Sequence, residues 1–263
     1  MKSRTSTVNI RDKKFYNIFF LILLAALVLS TIYTRYNPFE IFFRGEAFWV
    51  FLREDFMPPT IRNPAAVISA IGVTIALAIV ATTVAAIMAF LSAVFISTRT
   101  APFLRFAKLI RGIVTMIRNI PSLIWAFILF SALGVGVGVA LIALTISSYG
   151  FLARTFVEVI DELPPNSLEA MTACGCTFGQ KIIHCVLPTC MLGFIEWFLF
   201  SIEINIRSST IVGMVGGGGI GLVLFTFIRS FNYSAAAGVI LIIVAMVVIV
   251  EWGMSILKRK LYV

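Results

Sequence analysis

Charge is what this sequence has least of. Only 13% of its 263 residues are Asp, Glu, Lys or Arg, against about a quarter in an ordinary soluble domain. With 60% hydrophobic residues there is too little polar surface to wrap a water-soluble fold, and the composition equally excludes disorder and collagen. Histidine is limited to His184, and no internal repeat is visible. The acids are scattered, so no convergent acid–base or metal set points to a catalytic centre. The four cysteines, Cys174, Cys176, Cys185 and Cys190, crowd around His184 without the usual zinc-knuckle spacing, and read as small packing residues. The expectation is no catalytic residue, no metal and no cofactor.

What is present is length of apolar run. At about 20 residues per span, the chain has room for about six membrane helices and no separate soluble domain. The expected spans are 15–33, 65–97, a third centred on 123–133 with a kink at Pro121, then 139–160, 190–206 and 235–256. The fold class expected is all-α integral membrane. Residues 1–62 hold a basic tail, the first span and an aromatic-rich outer interfacial segment, and 63–263 form the membrane domain, with a polar connection at 161–188. If the N-terminus is inside, fifteen Lys and Arg fall in inside segments and six in outside ones. That bias predicts both termini on the cytoplasmic side. The net charge of +9 is thus a topology signal, and no basic stripe with interleaved aromatics suggests a nucleic-acid partner.

The 161–188 connection is long for a chain whose other loops are short, which marks it as a functional element. Asn166 to Glu169 and Thr177 to Gln180 each have the spacing of a capping box, and Gly175 between them suits a helix stop. The expected object is a helical hairpin on the cytoplasmic side, closed by Leu187-Pro188; its side of the membrane argues against disulfides. In the fifth span Glu196, Glu203 and Arg207 fall within about 40° of one helix face. Two readings stand for them: a structural ion pair near the outer interface, or a path for an anion along Arg207, helped by Asn205 and Ser208. Asn205 lies on another face and suits helix packing. The run 213–221 contains G-x-G-x-x-G, but no strand precedes it and no Lys-Ser or Lys-Thr follows it, so it is no nucleotide site. Met214, Gly217, Gly218 and Gly219 read instead as a re-entrant or outer gate segment approaching a neighbouring chain. Arg118 with Pro121 reads as part of a cytoplasmic gate or as an interface anchor.

Glu169-Ala170, Gly175 six residues after the Glu, and Leu187-Pro188 resemble the EAA loop of ABC-importer permeases; Met171 and Cys185 depart from it at packing positions. Arg118-Asn119-Ile120-Pro121, Glu203-x-Asn205-x-Arg207-Ser208, the glycine run and Asp55-Phe56-Met57-Pro58-Pro59 resemble the phosphonate-type permeases. The resemblance implies a type I (MetI-like) permease core in a bacterial inner membrane that is not itself an enzyme. Glu169, Ala170, Gly175, Leu187 and Pro188 would form the coupling element, docked on a cytoplasmic ABC ATPase dimer that binds ATP and Mg. A second permease copy, a periplasmic or lipid-anchored substrate-binding protein and the lipid bilayer are the other implied partners. The implied cargo is a phosphonate, with phosphite or phosphate-like anions next, carried by alternating access. Alternatives are a related permease for another solute such as an amino acid, a secondary transporter, and a lipid-modifying membrane enzyme, for which no catalytic cluster is found.

Overall fold

In lipid the backbone has no water to bond, so its amides must be satisfied within the chain. The computed structural model, which describes residues 10–35 and 45–261, does this with helices; among the described residues there is no strand. Contacts divide the chain into residues 1–55 and 56–263. The first unit holds α1 (Ile10–Thr34), apolar on every side from Phe15 onward, and α2 (Gly45–Phe51). Phe39, Phe42 and Phe43, expected at the outer interface, lie outside the described residues.

In the second unit α3 (Pro64–Ile96) starts with Pro64 as its first helical residue, while the Asn63 side chain accepts the Ala66 N–H at 3.3 Å. Ala78, Ala81, Ala85, Ala89 and Ala93 are fully buried down one face. Side chains this small let helix backbones approach closely where lipid gives no hydrophobic drive for association. Against α3 packs α6 (Val137–Asp161), in the most extensive helix–helix contact of the structure.

The third apolar stretch differs from the single span expected. α4 (Leu104–Asn119) and α5 (Ser122–Leu133) meet at 90°, and the 12 residues of α5 reach only about 18 Å. Pro121 is the cause: it has no N–H to give, and it holds Ile120 in extended backbone at φ −93°, ψ 118°. By length and composition the described helices make five spans, or six if this bent pair counts as one.

After α6 come α7 (Pro165–Ala173), α8 (Phe178–Lys181) and α9 (Leu187–Val212). Leu187-Pro188 does not close the hairpin as expected. A π-helical turn, Ile182–Val186, carries α8 straight into α9. The Leu187 N–H bonds back five residues to the Ile182 carbonyl, widening the helix just before the proline ring. The fifth span also runs past 206 to Val212, because Arg207 is paired and does not end it.

A kinked turn, Gly213–Gly217, which leaves helical geometry at Gly216 (φ 118°), leads to α10 (Gly219–Arg229), too short at 11 residues to cross a bilayer, and then to α11 (Tyr233–Leu261). The glycines approach their own chain closely. A Cβ at Gly217 would lie 2.8 Å from the Ala140 methyl, and one at Gly219 would strike the Thr74 hydroxyl. That hydroxyl accepts the Ile220 N–H at 2.9 Å, pinning the start of α10 to α3.

Candidate functional site

Two features stand out: the α7–α8 hairpin and the charged face of α9. In the hairpin Asn166 is not the N-cap. Pro165 is the first helical residue of α7, behind Pro164, and no side chain caps the helix. Tandem prolines preset the entry, and Asn166 falls inside the first turn. The other end is closed as expected. Gly175 takes φ 75°, its N–H bonds to the Thr172 carbonyl at 3.0 Å, and the Cys176 N–H reaches Met171 at 3.1 Å, a Schellman stop. At the start of α8 the Gln180 side-chain oxygen accepts from the Thr177 N–H at 2.8 Å. Leu163, Cys185 and Val186 are buried at the root, and Leu168 and Ile182 pack against the same core. Glu169, Ala170 and Gly175 are exposed, as is Pro188, while Leu187 is half-buried. The hairpin is therefore a fixed stem with a free outer surface.

On α9 the Glu203 carboxylate pairs with Arg207 one turn on, with side chains 13% and 50% exposed respectively. Ser208 is half-buried beside it. Asn205 turns the other way. Its amide donates to the Thr82 hydroxyl at 2.7 Å and the Ser148 hydroxyl at 2.6 Å, so one buried side chain ties α9 to α3 and α6. Thr82 and Ser148 were not singled out in the sequence, although a hydroxyl beside the alanine stripe of α3 is a usable signal.

The Glu203 end of the ion pair lies beside the C-terminal turns of α11. Glu203 shares a cleft of about 460 Å³ with Glu251, Ser255, Lys258 and Arg259, in the last turns of α11. Lys258 also sits 5.5 Å from the centre of the Phe200 ring. Sequence reasoning passed over Glu251, yet an acid inside an apolar helix, with Ser255 and Lys258 one and two turns on, was readable.

The bend at Pro121 and the glycine turn meet at an apolar cavity of about 520 Å³ lined by Leu123, Phe127, Ile211, Met214, Leu222 and Phe225. Arg118 is exposed at the end of α4. Gly217 is buried, and Gly218 is half-buried against Val137. Cys185 and Cys190 pack in the core, and the Cys190 thiol reaches the Val159 carbonyl at 3.7 Å. Among the described residues no group of His, Cys, Asp and Glu is placed to hold a metal.

Residues 88–262, from the second half of α3 to the end of α11, match the family described as binding-protein-dependent transport system inner membrane component. The chain belongs to this family. The phosphite transport system permease protein PtxC of Stutzerimonas stutzeri is 31% identical over 208 residues, covering 79% of this chain and 76% of that protein. The phosphate-import permease protein PhnE of Mycolicibacterium smegmatis is 29% identical over 212 residues, covering 81% of this chain. This chain spans only 40% of that relative's length. Among solved structures, the inward-facing MetNI methionine ABC transporter aligns with a TM-score of 0.67 at 22% identity, over 76% of this chain and 99% of that one. That likeness shows the fold, a MetI-type permease core. The bent third span, the hairpin and the glycine turn all lie inside the residues matched to this inner-membrane transport family, and with its apolar helices the chain is a multi-pass membrane protein.

Proposed function

We propose that this chain is the permease subunit of an ATP-driven importer for a small phosphorus oxyanion, a phosphonate first and phosphite or a phosphate-like anion second. The observation that carries the reading is the hairpin, fixed at its root in the core while Glu169, Ala170 and Gly175 stay exposed for a partner. The cytoplasmic partner is an ABC ATPase dimer that binds ATP and Mg and performs the hydrolysis. A substrate-binding protein delivers cargo outside, two copies of this chain enclose the pathway, and both termini lie inside. Closure of the ATPase moves the two hairpins, and the helices rock between inward- and outward-facing states.

The cargo reading draws on the phosphite and phosphate named in two relatives and on the charged α9 face. Arg207 keeps guanidinium donors beyond the one given to Glu203, and its half-exposed fork matches a tetrahedral oxyanion. Lys258 and Arg259 add positive charge to the adjoining cleft. Arg118, Pro121, Met214, Gly217, Gly218 and Gly219 form the gate in this reading. The test is reconstitution in lipid with the ATPase and binding protein. Phosphonate-loaded binding protein should raise hydrolysis and drive uptake; a chain that never associates with an ATPase would refute the proposal.

A further inference from the structure

The hairpin hangs from the end of α6, and the structure shows what holds that end. Asp161 is the last residue of α6, and three residues separate it from Pro165, the first of α7. One of its carboxylate oxygens accepts three hydrogen bonds: from the Ser97 hydroxyl at 2.6 Å, the Thr98 N–H at 2.8 Å and the Thr98 hydroxyl at 2.9 Å. Ser97 is the fully buried residue that ends α3, and its oxygen in turn accepts the Arg99 N–H at 3.1 Å. The Arg99 side chain reaches back to the Asp161 carbonyl at 3.4 Å. From α4, Arg111 donates to the Ile96 carbonyl at 2.9 Å, covering the negative end of the α3 dipole. Residues 96–99 thus wrap the foot of α6, and α4 braces them.

We propose that Asp161 is a positioning residue that makes α3, α4 and α6 receive a displacement of the hairpin together. Ile96, Ile160 and Leu163 pack in one apolar core at this junction, and the Asp161 hydrogen bonds add a polar tie to that packing. A cavity of about 90 Å³ opens beside the junction, its wall divided between polar side chains, among them Arg111, Glu158 and Asp161, and apolar ones such as Ile96 and Val157. The short link to the hairpin is stiff, since Leu163 is buried and Pro164-Pro165 restrict the backbone. A push on α7 arrives at Asp161 before any other polar contact between α6 and α3. Without the carboxylate, the last turn of α6 keeps its apolar packing on α3 but loses the polar tie at its foot, and part of the stroke is absorbed there. The inference rests on the proposed docking of the hairpin on an ATPase.

The test uses the full complex in lipid and reads three quantities: assembly with the ATPase, basal hydrolysis, and phosphonate uptake per ATP. Asp161→Ala should assemble and hydrolyse at the basal rate while uptake per ATP falls about fivefold or more, the scale of coupling between distant sites. Asp161→Asn retains an acceptor oxygen and should recover part of the ratio. Ser97→Ala/Thr98→Ala removes two donors without touching Asp161 and should reproduce the loss, even if Asp161→Ala fails to fold. Unchanged uptake per ATP in both the alanine and the double variants overturns the inference. Loss of assembly or melting stability in step with uptake also overturns it, in favour of a purely structural role. Failure of the unsubstituted chain to bind an ATPase is a different result and removes the underlying functional reading.

Discussion

Replacing Asn205 by Ala separates a packing residue from a pathway residue on the same helix. In the structure its amide is 3% exposed and bonds two hydroxyls, on α3 and α6. Interhelical hydrogen bonds in membrane proteins contribute about 0.6 kcal/mol each on average and at most about 1.7. Thr82 would keep its own bond to the Ala78 carbonyl at 2.7 Å, and Ser148 can turn to a carbonyl of its own helix, so neither hydroxyl is stranded. With a small cavity added, the expected cost is about 1–3 kcal/mol. An SDS titration of the purified chain in detergent, followed by circular dichroism and by the summed emission of its four tryptophans, reads that loss. Uptake should fall with the folded population and, in the folded fraction, only by the partial slackening of the tie between α3, α6 and α9. A variant as stable as the parent but unable to transport would refute the packing role and place Asn205 on the solute path.

Gly175→Val forces a β-branched residue to φ 75°, a local strain of about 1–3 kcal/mol at an exposed turn. Melting should fall by no more than that strain costs while stimulation of hydrolysis by loaded binding protein disappears, and retained stimulation counts against the hairpin as coupling element. Gly219→Ala meets both φ 67° and the Thr74 hydroxyl that holds Ile220, so a loss of about 2–4 kcal/mol is expected, visible as a lowered unfolding midpoint. Arg207→Ala should abolish uptake of a phosphorus oxyanion, measured with radiolabelled cargo in proteoliposomes; undiminished uptake would remove Arg207 from the path.

The spans were legible where a run of apolar residues is bounded by its own chemistry. α3 was expected at 65–97 and is found at Pro64–Ile96, because Asn63, Pro64 and Ser97 mark its ends. The end of α9 was misplaced for an electrostatic reason. Arg207 looked like an interface residue, yet Glu203 one turn back pairs its charge and the helix continues. Asn166 was misread because capping-box spacing says nothing of two prolines that already set the helix entry. The Asp161 junction was not readable at all, since its partners lie 64 residues upstream and have no pattern of their own.

Asn205 and Asp161 act at two levels of the same helices. Asn205 joins α3, α6 and α9 part-way along their length, where Ser92 and Tyr149 also share a hydrogen bond at 2.9 Å, and Asp161 joins α3 and α6 where they end. A helix held at one point can pivot, whereas two helices held at two points move as one body. Arg207 is carried on α9, two residues from Asn205, so a stroke entering at Asp161 reaches it in full only while both ties hold. The argument predicts non-additivity. If Asp161→Ala and Asn205→Ala each lower uptake per ATP through the same block, the double variant should do little more damage than the worse single one. Effects that simply multiply would show the two ties to be independent, and the block would then not be the route of coupling.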